Sequence, residues 1–115
     1  MEGMSESEEL TPDEFEEEKF VSYFPKLQTA YKRAFNELNE QYDSSLVHAI
    51  DQQILNESEP HYEGDGEFSI ELPDDPLDRL TGVVVPDEKA QAVLEEHVAQ
   101  IKRELQDQFG FSETE

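Results

Sequence analysis

Glu57, Glu59, His61, Glu63, Asp65 and Glu67 stand on consecutive odd positions of this chain, and Glu71 resumes the series. In an extended backbone alternate side chains share a face, so Glu63, Asp65 and Glu67 could converge on a hard cation with His61 beside them. The calcium-loop template D-x-[DN]-x-[DN]-G is absent. The series also crosses Pro60, Gly64 and Gly66, where alternation no longer fixes direction. His61, Glu63, Asp65 and Glu67 therefore stand as a weak metal-binding set beside the preferred reading, a solvated acidic surface and turn. His48 and Asp51, three apart on a helix, could form an oriented histidine–carboxylate pair. With no nucleophile or third group nearby, a polar pair at a helix rim is preferred. In "PDDPLDR", Asp74, Asp75, Asp78 and Arg79 read first as a local salt bridge and helix cap, and second as a segment that could contact a partner.

Other chemistries have no residues to carry them. His48, His61 and His97 are not at zinc-ligand spacing, and the adjacent Glu96 and His97 point in different directions on a helix. There is no Cys, hence no thiolate site or disulfide. "GDG" is neither a Walker loop nor a dinucleotide fingerprint. Lys26, Lys32 and Arg33 are flanked by acids, so direct nucleic-acid binding is not expected. No catalytic residue and no cofactor is assigned.

The elements that position these residues are easier to read. "TPDE" opens a helix, with Thr11 as cap, Pro12 in the first turn and Glu14 completing a capping box; it should run to about Tyr23. Pro25 predicts a break or kink. From there a second helix reads to about Tyr42, with Phe24, Leu27, Tyr31, Ala34, Phe35, Leu38 and Tyr42 on one apolar face. "SSLVHAIDQQILN" fits a helix through Leu46, Ala49, Ile50, Gln53 and Ile54, capped by Asp43 or Ser44. A strand is the alternative, and helix is preferred. Gly64 and Gly66 mark a turn. "EFSIEL" then alternates as a half-buried strand, with Phe68, Ile70 and Leu72 inward. Val83–Val85 reads as a short buried strand pairing with 67–72. The last helix begins at Asp87 and Glu88 and carries an apolar stripe of Ala90, Leu94, Val98, Ile101, Leu105 and Phe109. Lys102 and Arg103 lie toward its C-terminal dipole, and Gly110–Phe111 forms a Schellman stop with Phe111 folding toward Leu105.

The expectation is an α+β fold, a mainly helical single domain at 11–111 with three or four helices on a two-stranded sheet, an acidic tail at 1–10 and a short tail at 112–115. The 115 residues carry 30 acids against 8 Lys and Arg, a formal net charge of −22. Such a balance often signals disorder, but seven Phe, four Tyr and regular aliphatic spacing argue for a core. Molar salt shrinks the Debye length to about 3 Å and screens this self-repulsion. The charge is therefore read as adaptation to a salt-rich cytosol. No apolar run approaches the ~18 residues of a membrane span. No basic region followed by an apolar stretch opens the chain, so the expected location is cytoplasmic.

"YFPKLQTAYKRAF", "LVHAIDQQILNESEP", "YEGDGEF" and "ELPDDPLDRLTGVVV" resemble members of a small haloarchaeal protein family of unknown function, over nearly the whole chain. The resemblance implies a salt-rich archaeal cytosol and one domain, and brings no activity, cofactor or site residue. The function expected is a non-enzymatic protein-interaction module with a protein partner or as a homo-oligomer, acting through helix faces and the 57–79 acidic segment. A small-ligand or divalent-cation-binding protein, or a minor enzyme, is the alternative. An acidic mimic of nucleic acid is a third.

Overall fold

Thr11 opens the first element as its residue type demands: its hydroxyl accepts from the Glu14 N–H at 3.1 Å, and Pro12 occupies the first turn. In the computed structural model, which describes residues 10–111, this helix, α1, spans Pro12–Glu18. The predicted extension to Tyr23 is not made. The Glu18 carbonyl instead accepts from the N–H groups of both Val21 and Tyr23, and the chain turns over 19–23. The cause lies downstream. Helix α2, Phe24–Gln41, holds Pro25 in its first turn, where a missing N–H leaves nothing unsatisfied, so the break must fall before it.

Helix α2 buries Leu27, Ala30, Ala34 and Leu38 at helical spacing. Asp43 then caps α3, Ser44–Gln53, by accepting from the Leu46 N–H at 3.0 Å. The helical reading of this segment holds, and Leu46, Val47, Ala49 and Ile50 are buried. A single 3-10 turn at Leu55–Glu57 leads into the sheet.

The sheet corrects one expectation. Strand β2, Glu67–Glu71, pairs antiparallel with β1, Glu59–Gly64, and not with Val83–Val85. Two residues, Asp65 and Gly66, join the strands, both at positive φ (53° and 76°), the twist a tight hairpin requires. So short a connection closes at far lower entropic cost than one reaching from 72 to 83. Val83 and Val85 pack half-buried against the core, and Val84 is fully exposed. After a 3-10 turn at Pro76–Arg79, Gln53 anchors this segment by accepting from the Thr81 N–H (2.7 Å) and hydroxyl (3.0 Å) and donating to its carbonyl (3.1 Å).

Helix α4, Asp87–Gln108, lies antiparallel along α2 and closes the core through Ala90, Val93, Leu94, Ile101 and Leu105. Its end is the predicted Schellman stop: Phe111 N–H donates to the Gln106 carbonyl (2.7 Å) and Gly110, at φ 82°, to that of Asp107. Lys102 and Arg103 sit too far from this terminus to meet its carbonyls, and Arg103 turns to Gln100. The cation there is Lys26 of α2, which donates to the Gln108 carbonyl at 3.3 Å, while Arg33 faces Asp107 at 3.6 Å. Phe111 stacks on Tyr62, with centroids 5.5 Å apart, and Gln106 donates to the Gly66 carbonyl at 2.7 Å. The hairpin is thus latched to α4, within an aromatic cluster of Phe15, Tyr23, Tyr62, Phe68, Phe109 and Phe111. The expected tail at 1–10 lies outside the described residues except for Leu10, which packs half-buried against the core; that at 112–115 also lies outside them.

Candidate functional site

The odd-numbered acids do share a face where the hairpin is regular. Cross-strand pairs Glu59–Glu71 and His61–Ser69 lie outward, and Tyr62–Phe68 inward. At Glu63 the register shifts by one residue, and Asp65 sits in the turn itself. Glu63 accepts from the Ser69 hydroxyl, and Glu67 lies opposite Gly64. His61 does gather carboxylates, but from elsewhere: Glu16 of α1 at 2.7 Å on Nδ1 and Glu71 at 2.8 Å on Nε2. Carboxylates only accept, so when the ring is protonated both of its nitrogens donate, one to each carboxylate. Its pKa is raised, first by the Glu16 hydrogen bond, against burial and the nearby Lys19 ammonium. On Glu16 burial pushes upward, but Lys19 and His61 outweigh it and hold the carboxyl below its usual range.

At the centre of this cluster is Lys19, fully buried along its length. Its ammonium reaches Glu59 (2.7 Å), Glu16 (2.8 Å) and the Pro60 carbonyl (3.0 Å), and lies 5.8 Å from the Phe15 ring centroid and 5.5 Å from that of Phe20. Glu16, Glu59 and His61 could by themselves offer ligand atoms to a metal ion, all within 4.8 Å of one another. The Lys19 ammonium, bound to both carboxylates, already supplies the positive charge such a site would draw. The cluster is a fastening of α1 to the free edge of β1.

The residue after Lys19 begins a different surface. Phe20, Val21 and Phe24 are exposed, at 59%, 70% and 41% of their area, so Phe24 leaves the core face the sequence assigns it. Phe20 and Phe24, with ring centroids 6.4 Å apart, form one wall of a groove of about 400 Å³. Leu27, Tyr31, Leu55 and Pro60 continue its lining, and Asp51, Asn56, Ser58 and Gln28 supply its polar atoms. Burial raises the pKa of the half-buried Asp51 carboxyl, with His48 pulling it back, and no described residue donates a hydrogen bond to it. His48 and Asp51 open onto different hollows: His48 lies with Ser44, Gln53 and Thr81, its Nδ1 donating to the Ser44 carbonyl at 2.9 Å and its ring edge-on to Phe35.

Asp74, Asp75, Asp78 and Arg79 are all exposed. The expected local ion pair is replaced by one from Arg79 to Glu57, 22 residues away, at 3.1 Å. Asp75 holds the left-handed conformation at φ 46° and makes no side-chain cap, because its carbonyl already receives the Asp78 N–H. Sequence reasoning did not single out Lys19, Glu16 or the groove. The i, i+4 spacing of Phe20 and Phe24 was the available signal, but Phe24 was read as core and Phe20 was given no place.

None of the described helices is long and apolar enough to cross a membrane. Comparison with curated proteins and with solved structures gives no match. A family model does match, over residues 6–112, and by that near-complete span the chain belongs to a family of unknown function, DUF5783.

Proposed function

We propose that this protein is a non-enzymatic protein-interaction module of a salt-rich cytosol, and that the turn carrying Phe20, Val21 and Phe24 is its docking face. One observation carries this reading. Three of the four large apolar side chains exposed among the described residues fall within five positions of a single turn, in a chain with a net charge of −22. Contiguous exposed apolar surface of this kind marks interaction sites. The turn is also held in place, because Lys19 beside it is buried and fully bonded, so little ordering entropy is lost when a partner docks. The acidic composition supports the salt-rich setting, where short-range apolar contacts persist while charge repulsion is screened. The resemblance to haloarchaeal sequences agrees with that setting.

The test is capture of partners by the tagged full chain in molar KCl, beside a Phe20→Ser/Phe24→Ser variant. A stoichiometric protein partner held by the first and lost by the second is the expected result. Both side chains are in large part exposed, so the variant should stay folded, losing no more than about 2 kcal/mol of unfolding free energy in urea. A partner retained by the variant, or a chain that elutes alone, overturns the reading.

A further inference from the structure

The polar end of the groove contains an asymmetry of donors and acceptors. The Ser58 hydroxyl has one proton, and it goes to the Leu55 carbonyl at 2.7 Å. In the 2.9 Å contact between Tyr31 and Ser58, the Tyr31 hydroxyl must therefore be the donor. Its proton spent, the Tyr31 oxygen can only accept from anything else. Beside it lies the Asp51 carboxylate, another acceptor, half-buried and without a described donor. Nearby acids differ in this respect: Glu59 is bound to Lys19 and Glu57 to Arg79. A carboxylate drawn partly out of water, with only the nearby His48 ring to offset it, is destabilised, and a cation from outside would remove that cost. Around these acceptors the walls are Phe20, Phe24 and Leu27, apolar and in part aromatic. Aromatic faces favour a cation with an apolar stem, and Phe20 already carries the Lys19 ammonium at 5.5 Å.

We propose that the groove takes a lysine or arginine side chain borne on an apolar segment of a protein partner, its stem across Phe20, Phe24 and Leu27 and its charged head on Asp51 and the Tyr31 oxygen. The inference rests on the docking reading above and names the chemistry of its partner. Charge complementarity selects a basic segment over a second copy of this chain, which would bring 30 acids against 8 basic residues to the same face. Because Asp51 is half-buried, its attraction survives in molar salt better than that of the exposed acids.

Two acetylated tripeptide amides test this, Leu-Lys-Leu and Leu-norleucine-Leu, which differ by the ammonium alone. Each is titrated in molar KCl into the isotope-labelled full chain, and into its Asp51→Asn variant, with NMR shifts of Phe20, Phe24 and Tyr31 as readout. The lysine peptide should bind about ten-fold more tightly than its neutral analogue. Asp51→Asn should erase that difference and leave norleucine binding intact, a result a misfolded variant could not give. Equal binding of both peptides at the groove overturns the cationic head and leaves the docking reading standing. If neither peptide binds there, the inference falls, and capture by the Phe20→Ser/Phe24→Ser variant then decides the docking reading separately. Butylammonium binding as tightly as the lysine peptide would make the ligand a free amine, and concentration-dependent dimerisation lost in that double variant would make it a second copy. Either outcome overturns the proposal.

Discussion

Among the described residues two polar side chains, Lys19 and His97, are buried, and they are opposites. Lys19 carries its charge into the seam between α1 and β1 and finds two carboxylates and a carbonyl there. His97 lies on the inner face of α4, one turn from Val93 and from Ile101, and neither of its ring nitrogens has a partner among the described residues. Burial lowers its pKa to about 4, so the ring is neutral at pH 7. The comparison teaches that burial alone does not decide what a polar group does to stability. A charge with a full set of partners ties two elements together, whereas a neutral ring without partners is tolerated chiefly for the volume it fills.

Removing Lys19 is the most direct way to break the contrast. Lys19→Ala should cost about 3 kcal/mol in urea denaturation. That is at the low end for a broken buried pair, because Glu16 and Glu59 are partly exposed and can rehydrate. A loss below about 1 kcal/mol would show that the seam only fills space.

Acid sharpens it from the other side. The folded pKa of His97 is depressed, so the unfolded chain binds the extra proton below about pH 6.5. Its contribution is whole above that pH and is lost as pH falls toward 4, by about 2 kcal/mol at pH 5. His97→Leu should remove this part of the acid limb and raise stability near pH 5, as read from urea midpoints across pH. His61 acts in the opposite sense. Its folded pKa is raised, so its contribution is whole below about pH 6.5 and fades as pH rises through the folded value, and His61→Gln should flatten that alkaline decline.

At the surface the same contrast shrinks to one between many bonds and one charge. Gln53→Ala, which frees three hydrogen bonds to Thr81, should cost about 1 kcal/mol and raise amide exchange at Thr81. Arg79→Ala, which breaks the exposed pair with Glu57, should change stability by less than about 0.5 kcal/mol.

Much of this was legible because it is local. The cap at Thr11, the restart at Pro25 and the stop at Gly110 each depend on a few neighbouring residues, and each occurs where the sequence puts it. His97 could have been found the same way, since 93, 97 and 101 form one helical row. Strand β1 was hidden because Pro60 and its acids carry poor strand propensity, and its stability comes from the hairpin and from Lys19. Lys19 itself was not legible at all. Its partners Glu59 and Pro60 lie about 40 residues away, and nothing in the run "EFEEEKF" distinguishes a lysine turned inward from one in solvent.

The latch between the hairpin and α4 bears on how the chain is born. Synthesis delivers β1 and β2 well before Gln106 and Phe111, so the Tyr62 and Phe68 rings must wait on the nascent chain without their final cover. The inner face of α2 waits in the same way for α4. The pairing of earlier-made elements with the last described helix means that the core cannot close until that helix has been made.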